Sequence, residues 1–203
     1  MIKNLKLIVL ISLMASSFGA AAANYNEAAN GDFSNNHLAP TLVALESGSN
    51  QILGTFGKSN IPNVADLDYF TVVVPTGHRL DRLMLTSLDQ GGANSFLAVE
   101  IGSRLTLSPI PPYSFTDINK MLGYNHIYKF YQGTDVLPVL GVDNGLASGN
   151  YTFWINETDA SEEHSYGFDF EVSPVPEPAI GALMVPSLVL IGFMASRRRN
   201  RNA

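Results

Sequence analysis

Asp66 and Asp68 are the pair of side chains in this 203-residue chain whose spacing most suggests chemistry. Residues two apart in extended backbone point to the same side, so both carboxylates would converge at the entry of the strand that follows. There a hard cation such as calcium could use them together with backbone carbonyls. Calcium takes about six to eight oxygen ligands, more than two carboxylates supply; the same pair could equally solvate a turn and cap its backbone donors. His37, His78, His126 and His164 are scattered singly, without an HExxH pair or zinc-ligand spacing, and read as loop or surface histidines. No GxSxG elbow sets up a serine nucleophile, and Gly91-Gly92 completes no phosphate-binding pattern. Asn156-Glu157-Thr158 matches a glycosylation sequon, a pattern short enough to arise by chance. No catalytic residue is expected, and the chain reads as a non-enzyme.

Aromatic side chains offer a second kind of contact. Tyr113, Tyr124, Tyr128 and Tyr131 gather with Phe115 and Phe130 in and around the Pro- and Tyr-rich stretch 109–133. As candidate ligand contacts these tyrosines could stack on the sugar rings of an exopolysaccharide or anchor a protein partner; alternatively the rings close the edge of a core.

The elements that must position these residues are strands. Strand-like runs cover 41–46, 68–74, 82–88, 95–101, 135–140, 151–156 and 166–172. Turn residues separate them: Gly48-Ser49-Asn50, Pro75-Thr76-Gly77, Gly91-Gly92-Ala93-Asn94 and Asp143-Asn144-Gly145. Tyr151, Phe153 and Ile155 alternate with Thr152, Trp154 and Asn156, a period of two. Many short strands without βα alternation predict an all-β fold, an antiparallel, jelly-roll-like β-sandwich over residues 24–173. The irregular insertion 109–133 departs from it, with a short helix expected over 116–122 between an N-cap at Thr116 and a stop at Gly123.

Both ends read as targeting segments. Lys3 and Lys6, the apolar run 7–14 and the small residues 20–23 predict a signal peptide over 1–23, cleaved by signal peptidase after Ala22 or Ala23. Residues 174–203 combine three devices. Val175-Pro176-Glu177-Pro178 is a stiff, extended strip, because its prolines remove backbone donors. Residues 179–196 carry no charge and form a helix just long enough to cross hydrocarbon, with Pro186 inside it. Arg197, Arg198, Arg199 and Arg201 in the basic tail 197–203 orient that helix with the tail in the cytoplasm. Taken alone, the arrangement also suits a permanent single-span anchor.

Residues 24–178 hold all 18 acidic residues but only six of the 12 basic ones, so this part carries a net charge of −12. So acidic a surface repels phosphate backbones and excludes nucleic acid as a partner. There are no cysteines, which excludes disulfide staples, thiol nucleophiles and zinc-thiolate sites; no cofactor is expected beyond a possible calcium ion.

Pro-Glu-Pro, a short apolar helix and an arginine cluster, in that order, resemble the PEP-CTERM sorting signal. The resemblance implies a Gram-negative host, transient insertion in the inner membrane, and processing by an exosortase. It further implies delivery to the cell surface or an exopolysaccharide and biofilm matrix. Asp66-Leu67-Asp68-Tyr69-Phe70 running to Pro75-Thr76-Gly77, with Leu146-Ala147-Ser148-Gly149-Asn150-Tyr151 and Tyr166-Gly167-Phe168, is similar to bacterial pre-peptidase C-terminal (PPC-like) domains. Those are small β-sandwiches that serve as binding or stabilising modules. Gly31-Asp32-Phe33-Ser34-Asn35-Asn36 resembles the segment that opens such domains in PEP-CTERM proteins. The functions left open are a non-catalytic structural or binding module, a calcium- or glycan-binding adhesin, and a secreted hydrolase on a β-scaffold.

Overall fold

The computed structural model describes residues 23–58, 65–89, 95–106, 118–127, 130–157 and 162–176. The chain between its ends is all-β. Its strands are β1 (Asn24–Asn26), β2 (Thr41–Ala44), β3 (Gly48–Lys58), β4 (Ala65–Asp66), β5 (Asp68–Leu88), β6 (Ser95–Ile101), β7 (Met121–His126), β8 (Leu146–Glu157) and β9 (Glu163–Pro174). Two four-residue helices, α1 (Glu27–Asn30) and α2 (Val136–Val139), lie between strands. Among the described residues all nine strands belong to one continuous sheet, ordered β1-β3-β9-β5-β8-β6-β7, with β2 on β5 and β4 on β3.

Continuity comes from β5, which is 21 residues long and changes partners along its length. Its first part, Asp68 to Val74, pairs with β8 on one side and in parallel with β2 on the other. Its last part, His78 to Leu88, pairs with β9. The register shifts between Val74 and Arg79, across Pro75-Thr76-Gly77, where Gly77 takes a φ of 75°. The turn signal there therefore marks a change of partner within one strand, and the expected strands 68–74 and 82–88 are its two arms.

The main core joins both arms: Phe70, Val72 and Val74 from the first pack with Leu80, Leu83 and Leu85 from the second, and with Ile52, Phe153, Phe168 and Phe170. Phe153 stacks on Phe70 at 5.2 Å and meets Phe170 edge-on at 5.4 Å. A smaller cluster of Tyr69, Ala98, Leu105 and Trp154 covers the opposite face of the first arm. Residues Asp68 to Val72 are consequently buried without a break.

Several expectations are corrected. The pairing is not wholly antiparallel, since β1–β3 and β2–β5 are parallel. Gly48-Ser49-Asn50 opens the 11-residue strand β3 instead of forming a turn between strands. Its inward positions are Asn50, Ile52, Gly54 and Phe56, so a polar residue and a glycine disguise the alternation. Asn50 is tolerated inside because its amide donates to the carbonyls of Glu46, Gly48 and Phe170 at 2.9–3.0 Å. The expected strand 135–140 is α2: the Asp135 carboxylate caps it by accepting from Leu137 N, and also accepts from Leu83 N at the edge of β5. The helix expected over 116–122 is replaced by a 3₁₀ turn, Ile118–Lys120, and β7, so 109–133 is not irregular throughout. Gly123 lies within β7, where a Cβ would meet the Leu140 side chain at 2.5 Å; close packing requires it there, not a helix stop. Residues 116 and 117 lie outside the described residues.

Truncating the side chain at the centre of the main core should be costly. Phe153→Ala is expected to lower stability by about 3–5 kcal/mol, read as a reduced urea midpoint at unchanged slope.

Candidate functional site

The described site is built where the N-terminal segment lies over the start of β5. β1 pairs with β3, and α1 follows at once, its N-cap Asn26 accepting from Ala28 N at 3.0 Å. Gly31, at φ 95°, ends the helix and turns the chain back, its N–H donating to Glu27 O. Tyr25 and Phe33 stack at 4.5 Å, and Phe33 packs on Phe70, so two aromatic rings fasten the segment to the core. Tyr69 N donates to Ser34 O and Leu67 N to Asn35 Oδ1, tying 31–36 to the chain around Asp66 and Asp68.

This arrangement brings Glu27, Asp32 and Asp68 together, with one carboxylate oxygen of each within 4.8 Å of the others. Asp68 is fully buried, and neither of its oxygens has a hydrogen-bond partner among the described residues. Glu27 is half-buried and is held from two directions. Oε1 accepts from Phe33 N at 2.8 Å, while Oε2 accepts from Thr55 N at 2.5 Å and Thr55 Oγ1 at 3.2 Å. Asp32 is exposed. Glu27 and Asp32, with the buried Asp68 behind them, line a cavity of about 640 Å³ whose wall also includes Lys58, Asp66, Glu163 and Tyr166.

Tyr166 closes the wall. It sits opposite Gly54 in the β3–β9 register, and its ring lies over that glycine, where a Cβ would run into the ring and its hydroxyl. The hydroxyl is buried beside the Asp68 carboxyl and affects its ionisation, yet neither group completes a hydrogen bond of ordinary geometry.

Burial dominates the electrostatics. It pushes the Asp68 carboxyl well above the usual range, helped by the Glu27 charge and opposed by the Tyr166 hydroxyl. Glu27 is raised to about 7 by burial, with backbone hydrogen bonds from Phe33 and Thr55 pulling the other way. Asp66 is raised to about 6, chiefly by burial and then by Asp32. The Tyr166 hydroxyl is pushed up by burial and by Asp68.

Asp66 and Asp68 are thus neighbours in one acidic region, but the oxygens that converge with Asp68 are those of Glu27 and Asp32, not Asp66. Leu67 separates β4 from β5, with Asp66 and Asp68 buried on either side of it. Glu27 and Asp32 escaped sequence reasoning because they lie some 40 residues upstream; the Gly31-Asp32-Phe33 segment was their only signal.

The other candidates are dispersed. Tyr124, 39% exposed on β7, stacks on Phe96 at 5.3 Å, whereas Tyr131 is 77% exposed beyond it; Tyr113 and Tyr128 lie outside the described residues. The histidines stand on separate elements, and His164 is buried against Phe56 instead of lying at the surface. Val175 and Pro176 are exposed, while Glu177, Pro178, the stretch 179–196 and the four tail arginines lie outside the described residues, as do 1–22. Ala23 N donates to Asn50 Oδ1 at 3.3 Å. Among the described residues no helix is long and apolar enough to cross a membrane. No protein-family model, curated protein or solved structure matches the chain.

The raised carboxyls fix the direction of a pH effect. Glu27 and Asp66 bind protons more tightly folded than unfolded, so their contribution to stability is fully present below the ordinary carboxylate range. It is lost as pH rises through about 6 and 7. In chelator, the thermal midpoint should be higher at pH 5 than at pH 8, and Glu27→Gln should narrow the difference; a midpoint that rises over this interval contradicts the assignment.

Proposed function

We propose that the chain is an exported protein of a Gram-negative bacterium, sorted through a PEP-CTERM signal and processed by an exosortase. Its non-catalytic, PPC-like β-sandwich is delivered to the cell surface or extracellular matrix. The observation that carries the reading is the order of elements at the end of the fold. β9 finishes at Pro174, Val175 N makes a last hydrogen bond to Gly77 O at 2.8 Å, and Val175 and Pro176 stand exposed immediately before Glu177. A processing strip placed there is reachable without opening the domain, and the uncharged stretch and arginines that follow are what transient insertion in the inner membrane needs.

The two arms of β5, which share β8 but pair on the other edge with β2 and β9 respectively, belong to the two layers of the sandwich in this reading. The domain then works as a binding or structural module in the matrix, with the signal peptide and the C-terminal helix as its passport through the inner membrane.

Replacing Glu177 tests the sorting role directly. In a host that processes the native chain, Glu177→Ala should accumulate as uncleaved precursor in the cell envelope, seen as a larger intact mass and loss of the released product. Normal release of the variant would overturn the reading.

A further inference from the structure

We propose that Glu27, Asp32 and Asp68 form a binding site for a hard divalent cation of the calcium class, clamping the N-terminal segment onto the start of β5. Two oxygens bound to one calcium at about 2.4 Å can lie no more than about 4.8 Å apart. The three carboxylates meet that limit before any ligand is considered. They come from α1, the following turn and β5, so their convergence is a product of the fold and not of a local acidic run.

A second observation comes from groups that a crowded surface patch does not have. Asp68 is completely buried with both oxygens unpartnered, and the Tyr166 hydroxyl beside it is buried and unpartnered as well. A buried carboxylate without hydrogen bonds is expensive, and placing two more carboxylates against it raises the cost. A divalent cation removes both penalties at once, because it supplies the opposite charge and coordinates oxygens that complete no hydrogen bond of ordinary geometry. Asp68 and Asp32 can each offer two oxygens and Glu27 a further one, with the Tyr166 hydroxyl at the wall and solvent from the cavity to complete six to eight. Magnesium suits the site less well, since it demands near-ideal octahedral geometry and gives up its water reluctantly.

The site belongs to the folded domain and not to the sorting signal, so its test can fail without touching the sorting reading. The experiment is a calcium titration of the full chain, stripped with chelator and held in detergent, followed by calorimetry and thermal unfolding. Calcium at a hundredfold excess over its Kd should raise the thermal midpoint by about 5–10 °C. Asp32→Asn, at an exposed position that leaves the core intact, should abolish most of the shift. Asp68→Asn should abolish it as well. Asp143→Asn, on an exposed turn elsewhere, should respond as the native chain does. Absence of both heat and shift in the native chain would overturn the proposal, as would an undiminished response in Asp32→Asn. An equal shift with magnesium would overturn the calcium assignment.

Discussion

The fold depends on the uninterrupted course of β5. A single 21-residue strand pairs with β2 and β8 in its first arm and with β9 in its last, and the register shift across Pro75-Thr76-Gly77 lets it do both. Because β5 stands at the middle of the strand order, with β9 and β3 on one side and β8 and β6 on the other, its position dictates which side chains face inwards. Its first arm is covered on both faces, by the Phe70 and Phe153 core on one side and by Tyr69 and Trp154 on the other. Whatever residue begins that arm is carried into the interior.

That residue is Asp68, and the consequence is electrostatic. An ionised carboxylate in such a place has lost most of its hydration, so it must be protonated, hydrogen-bonded or paired with a cation. No hydrogen bond of ordinary geometry reaches it among the described residues, and the groups around it are Glu27, Asp32 and Asp66, of its own sign. The local architecture is consistent in holding them there. Glu27 is fixed by Phe33 and Thr55, the segment around it is fastened by Tyr25 and Phe33, and Gly54 makes room for the Tyr166 ring. A concentration of acidic groups held this firmly, in front of a cavity, is the feature of the domain that most invites a cationic ligand.

The all-β class and most strand positions were legible in the sequence, because alternation in Tyr151-Phe153-Ile155 or Phe168-Phe170-Val172 directly reports a face buried against a core. What was hidden has identifiable causes. β3 was obscured by Asn50 and Gly54 at inward positions, the first allowed by three side-chain hydrogen bonds and the second required by Tyr166. The segment 135–140 is apolar enough for a strand, yet Asp135 is used as a cap that serves both α2 and the β5 edge, a role that exists only once β5 is beside it.

By itself, the amino-acid sequence determined the pattern of strands, the acidity of the part between the two ends, and the Pro-Glu-Pro, apolar and arginine order from which sorting is inferred. These are properties of neighbours along the chain. Tertiary structure alone decided that two turn-separated runs are one strand, and that Asp68 meets Glu27 and Asp32 instead of sharing a site with Asp66. Strand pairing and burial join residues distant in sequence, which no spacing along the chain reports.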